Sequence, residues 1–133
     1  MKTKPVWLRY SSKEIEMILS KLAKEGKNAS QIGIALRDIY GVPDVKTATG
    51  KRISKILEEK GLTSRLPDDM TSLIRRSLAI KKHMDSNKKD MTAKRGFQLT
   101  QAKINSLAKY YKRFGKIPID WKYDAKTVKV YIE

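Results

Sequence analysis

The chain has no cysteine. That absence excludes disulfides and thiolate metal sites, and it fits a protein working in a reducing cytoplasm. A single histidine stands among the 133 residues, so zinc, which needs about three or four N, O or S ligands, has almost nothing to draw on. Long hydrophobic runs are missing too, and no stretch approaches the ~18 consecutive apolar residues of a bilayer span. The start, MKTKPVWLRYSS, has neither an apolar run nor a small-residue cleavage site, so no signal peptide is expected. Acidic residues are scarce: 14 Asp and Glu face 30 Lys and Arg, for a net charge of +16 and a pI near 10.1.

So much uncompensated charge raises the self-repulsion of a compact state, and a polyanionic partner is its natural counterweight. Nucleic acid is the leading candidate. A membrane surface fits less well, because no helix sets a broad apolar face against a purely basic one. Hydrophobic residues make up 40%, enough for a modest core in one domain or two very small ones.

What is present reads as helices. Residues 1–10 look like an extended arm, stiffened by Pro5 and anchored by Trp7 and Tyr10. Ser11 and Glu14 have capping-box spacing, in which a hydroxyl and a carboxylate each satisfy a free backbone N–H. Ile15, Ile18, Leu19 and Leu22 follow at helical spacing as far as Gly26. Asn28 or Ser30 caps a second helix with Ile32, Ala35, Leu36 and Ile39 on one face, stopped at Gly41. Two short helices around a Gly-containing turn resemble a helix-turn-helix. Pro43–Gly50 reads as a loop, and a third helix covers roughly Lys51–Lys60.

Leu62–Pro67 is the best internal boundary, since Gly61 and Pro67 bracket it and no apolar period crosses it. It divides residues 1–62, an N-terminal helical domain with its arm, from residues 63–133, a helical hairpin with a C-terminal arm. In that second part a helix begins at Asp68 or Asp69, turns Met70, Leu73, Ile74, Ser77, Leu78 and Met84 inward, and ends near Ser86-Asn87. The longest helix starts near Met91 and carries Phe97, Ile104, Leu107, Ala108, Tyr111 and Phe114 to Gly115. Joined by a few residues, these two should pack antiparallel. The tail, Lys116–Glu133, has no helical pattern; Thr127–Val130 alternates like a strand, but one short strand without a partner is better read as an arm. The expected fold is all-α. Charge is uneven along it, with net +6 over residues 1–60 and net +10 over 61–133.

The histidine lies in KKHMDSNKKDMTAKRGF, residues 81–97, with six of the basic residues. Asp85 and Asp90 could hold a hard cation elsewhere, but Lys81, Lys82, Lys88, Lys89 and Lys94 oppose one here. Ser86 and Asp90 stand near His83, yet nothing supplies an oxyanion hole or pocket, so no catalytic residue, metal or cofactor is expected. The plain alternative is a solvated turn with His83 capping a helix end. Against it stands the mixture: carboxylates have no use against phosphate, but they accept from base amines while Lys and Arg take the phosphates. Such a cluster suits the shallow minor groove of RNA. Tyr110 falls about 100° round its helix from Tyr111. It either stacks beside Lys109, Lys112 and Arg113 or is partly buried against the N-terminal part.

These residues resemble a known family. His83, Asp90, Lys94-Arg95-Gly96-Phe97 and Tyr110-Tyr111 match the signature hairpin of the universal small-subunit ribosomal protein numbered fifteen. Lys4-Pro5-Val6-Trp7-Leu8, Ser30-Gln31-Ile32-Gly33, Leu36-Arg37-Asp38, Tyr40-Gly41-Val42, Thr49-Gly50 and Leu66-Pro67-Asp68-Asp69 are similar to the N-terminal domain of its archaeal and eukaryotic versions. Pro118 and Trp121-Lys122-Tyr123 match as well.

The resemblance implies a non-enzymatic primary binder of small-subunit ribosomal RNA, set among neighbouring ribosomal proteins near the large-subunit interface, with no membrane or small-molecule partner. It places His83 and Asp90 as minor-groove readers, and Arg76, Tyr110 and Arg113 against a three-way junction. Lys88, Lys89, Lys94 and Arg95 flank the readers as phosphate contacts. Bacterial members carry a second histidine where Asn87 stands and an RNA-contacting serine where Ala93 stands, which leaves Thr92 to supply a hydroxyl. The rival reading is a helix-turn-helix DNA-binding regulator built on residues 11–41, whose second helix offers Gln31 and Arg37 to a major groove.

Overall fold

The first three helices each begin where a short polar side chain replaces a missing backbone partner. The computed structural model describes residues 5–124. Helix α1, Ser12–Lys24, is opened by Ser11, whose hydroxyl accepts from the Glu14 N–H while the Glu14 carboxylate accepts from the Ser11 N–H at 2.7 Å. The same reciprocal pair, Asn28 with Gln31, opens α2, Ala29–Asp38. Asp44 accepts from the Lys46 N–H and opens α3, Val45–Thr49, which Gly50 ends at a φ of 77°. That left-handed turn strains a residue with a Cβ. Helix α4 is Ile53–Glu59. Helix α5, Asp68–Ser86, and helix α6, Met91–Arg113, complete an all-α fold with no strand among the described residues.

The chain separates into two compact units, divided between Thr63 and Ser64. In the first, Ile15, Leu19 and Leu22 of α1 meet Ile32 and Leu36 of α2, with Val42, Val45, Ile56 and Leu57 closing the core. In the second, Met70 and Ile74 of α5 face Ile104, Ala108 and Tyr111 of α6, and Leu66, Ile117 and Trp121 seal them. Full burial of each large aliphatic contributes roughly 1.5–3 kcal/mol, so apolar stripes rather than helix propensity hold both units together. Two hydrogen bonds fix α5 and α6 as an antiparallel hairpin. Tyr111 donates to Asp69 across one end, and His83 donates to Asp90 across the other.

The structure corrects several expectations. Pro43–Gly50 is not all loop, because α3 lies inside it, too short to show an apolar period. Ile39 and Phe114 are not inward: both sit at helix C-caps, where the stripe has turned away from the core, and both are exposed. Residues 5–10 carry no helix or strand and are anchored by Tyr10, as expected, but they begin with a turn. The Leu8 N–H closes a turn onto the Pro5 carbonyl, Leu8 and Tyr10 pack on the first core, and Tyr10 meets the Tyr40 ring edge-on. Trp7, expected to anchor this segment, is exposed. Residues 116–124 also lie on the fold, with Ile117 and Trp121 buried and the Tyr123 hydroxyl 2.7 Å from that of Ser77. The alternating stretch Thr127–Val130 lies outside the described residues.

Candidate nucleic-acid interface

The turn between α5 and α6 needs four residues, 87–90, and engages the side chains at both of its ends, Asn87 and Asp90. Asn87 ends α5: its backbone N–H donates to the His83 carbonyl at 2.9 Å, and its side-chain amide donates to the same oxygen at 3.3 Å. Asp90 starts α6 as its N-cap, one carboxylate oxygen accepting from the Ala93 N–H at 3.0 Å. The other oxygen accepts from His83 Nε2 at 2.9 Å. The Asn87 amide, 3.4 Å from His83 Nδ1, donates there, and these partners put the ring proton on Nε2. His83 and Asp90, seven residues apart, thus close across the turn as a unit.

The Ala93 N–H, then His83, hold the Asp90 carboxyl below its ordinary value. It therefore stays ionised across the neutral range, with a second lone pair on each oxygen still able to accept. Around it Lys88, Lys89, Thr92, Lys94 and Arg95 are exposed. Arg95 reaches the Gln98 amide oxygen at 3.4 Å, but none of these four cations makes an ion pair among the described residues. In the first unit, by contrast, Lys27, Arg37, Lys51 and Lys60 each pair with a carboxylate. The turn keeps its positive charge unspent while fixing one negative group in its centre.

The other candidate residues lie apart from the turn. At ~1.5 Å rise per residue, Tyr110 stands about 30 Å along α6 from Asp90, with Arg113 a turn beyond. Arg76 sits about 10 Å along α5 from His83 and a similar distance from Asp69, the residue level with Tyr111. It is therefore midway along the hairpin rather than beside Tyr110 and Arg113. Arg76 and Arg113 are exposed and make no ion pair among the described residues. Tyr110 is 52% exposed, its ring 4.7 Å from Phe114 and 5.2 Å from Tyr111. Phe114, read from sequence as core, is exposed and pairs with Tyr110, while Tyr111 stays in the core; its place beside Gly115 was the available signal. Among the described residues no group of three His, Cys, Asp or Glu could hold a metal ion, and no helix is long and apolar enough to cross a membrane.

The sequence also matches known families. Residues 1–42 match the ribosomal S13/S15 N-terminal domain, and residues 50–131 match ribosomal protein S15. The chain belongs to the ribosomal protein S15 family. Among its relatives is the small ribosomal subunit protein uS15 of Methanoculleus marisnigri, 46% identical over 131 residues, which cover 98% of this chain and 86% of the relative. The uS15 of Metallosphaera sedula is 42% identical over 128 residues, covering 96% and 84%. That of Methanocella arvoryzae is 42% identical over 131 residues, covering 98% and 86%. In this S15 family member α3 lies between the two matched segments, and the second contains the whole hairpin.

The helix-turn-helix alternative loses its reading residues in this geometry. Gln31 is spent in the cap of α2, and Arg37 donates to both carboxylate oxygens of Asp38 at 2.7 and 3.2 Å.

Proposed function

We propose that this chain is a structural constituent of the small ribosomal subunit that binds small-subunit ribosomal RNA directly, without catalysing a reaction. Its workplace is the ribosome in the cytoplasm, and its partners are that RNA and neighbouring ribosomal proteins. The turn between α5 and α6 reads an RNA minor groove through His83 and Asp90, while Lys88, Lys89, Lys94 and Arg95 hold phosphates on either flank and Thr92 offers a hydroxyl. Farther along the hairpin Arg76, Tyr110 and Arg113 clamp a three-way junction.

The observation that carries this reading is the His83–Asp90 bridge, set among cations that make no ion pair among the described residues. A carboxylate alone would be repelled by phosphates, so its fixed place in a basic turn makes sense where it accepts from base amines or ribose hydroxyls. The uS15 names of relatives spanning nearly the whole chain support the ribosomal assignment. The spacing of about 30 Å along α6 supports two separate contacts rather than one.

Footprinting the purified chain on small-subunit RNA tests the proposal. Two protected regions are expected: a helical minor groove and a junction within reach of the same hairpin. Diffuse protection without a preferred site would overturn it.

A further inference from the structure

The first unit has a cleft that no part of this RNA-binding scheme uses. It lies where α2 passes the α3–α4 segment, has a volume of about 510 Å³, and is floored by Gly33, Ile34 and Ile53. Ile34 is 53% exposed although it lies on a helix with an apolar core face. Gly33 sits inside α2, where glycine costs stability relative to alanine. A Cβ there would meet only Ile53 Cδ1, at 3.4 Å, which is ordinary van der Waals contact. Core packing therefore does not demand the glycine; what it leaves is an open floor.

The rim is charged. Lys46 and Arg52 border the cleft, both are exposed, and neither makes an ion pair among the described residues. Arg37 also borders it but is neutralised by Asp38. Asp44, the one carboxylate on the rim among the described residues, accepts from the Lys46 N–H and the Thr47 hydroxyl. Among the described residues no aromatic side chain lines the cleft, so an unpaired base finds no stacking platform there. An aliphatic floor under two open cations instead matches a protein segment with one apolar side chain between carboxylates.

We infer that this cleft docks an acidic segment of another protein, one aliphatic side chain seated over Gly33 between Ile34 and Ile53 and its carboxylates held by Arg52 and Lys46. The inference is independent of the hairpin reading and concerns a different unit of the chain.

The test uses the full, isotope-labelled chain and a dye-labelled pentapeptide with a central leucine between two acidic residues on each side. Saturable amide shifts at Gly33, Ile34 and Ile53 are expected. Replacing the leucine with glycine in the peptide, or making Ile34→Ser or Arg52→Glu in the protein, should each weaken binding about tenfold. Both substituted side chains are exposed, so the melting temperature should hold. Shifts confined to the hairpin turn, or equal binding of the leucine and glycine peptides, would overturn the inference. So would a single-stranded oligouridine that moves the same amides more tightly than the peptide, since the cleft would then be an RNA contact.

Discussion

Tyr111→Phe removes one oxygen from the core of the hairpin unit and leaves the ring in place. The lost group is the phenol that donates to Asp69 at 2.5 Å, joining the last turn of α6 to the first turn of α5. No cavity forms, so the cost is that of the bond. A hydrogen bond to a charged group contributes ~1.5–3 kcal/mol. Asp69 is exposed and recovers water once the phenol is gone, which selects the lower end, about 1.5 kcal/mol. At ~4–8 °C per kcal/mol for a small domain, the melting temperature should fall by about 6–12 °C.

The pH dependence of this loss makes the test specific. The bond to Asp69, then burial, push the Tyr111 pKa from 10.0 up to about 12. The folded chain thus holds this proton more tightly than the unfolded one. The contribution is fully present below pH 10 and is lost as pH rises through about 12. Every other ionisable group is common to both proteins, so its effect cancels in the difference. Thermal melts of the parent and variant should differ by a constant gap through neutral pH that closes above about pH 10. Equal melting temperatures at neutral pH, or a gap unchanged at the alkaline end, would refute the reasoning.

RNA binding should weaken steeply with added salt, with a log–log slope of roughly −0.7 to −0.9 per phosphate neutralised; equal affinity at low and high salt would contradict it. Arg76→Lys and Arg113→Lys keep the charge but lose the planar fork that grips a phosphate bidentately or stacks on a base. Each should weaken junction binding with little change in melting temperature, and normal binding by both would mark these arginines as general solvated charge. Trp121→Ala should destabilise the hairpin unit by about 3 kcal/mol or more in urea titrations, because this side chain is buried against α5 and α6 rather than carried on a free arm.

Local chemistry was the part of the fold legible in the sequence. Ser11 with Glu14, and Asn28 ahead of Ile32, mark helix starts because a cap is decided within four residues. The long stripes of α5 and α6 declare a hairpin because their period repeats over many turns. Helix α3 escaped because five residues cannot display a period, and its signals, Asp44 and Gly50, serve equally well in a loop. Ile39 and Phe114 were misread because hydrophobicity at a helix end does not say whether the core is still beneath it. No local rule could join Tyr111 to Asp69 or Tyr123 to Ser77, residues 42 and 46 positions apart. At the candidate site, His83 and Asp90 stood out as odd residues in a basic run, but their mutual bond and the Asp90 cap emerge only once the turn closes.

The most direct measurement of the central claim compares cognate and random RNA binding by Asp90→Asn. Asparagine keeps the N-cap of α6, since its amide oxygen can still accept from the Ala93 N–H, and the fold should survive. The substitution removes a negative charge, which should strengthen non-specific attraction, but it weakens the bridge to His83 and the acceptor offered to a base amine. The account predicts cognate affinity lower by about tenfold or more and random-RNA affinity slightly higher, with His83→Ala likewise losing cognate affinity. If Asp90→Asn binds cognate and random RNA equally more tightly, the carboxylate is a helix cap and reads nothing.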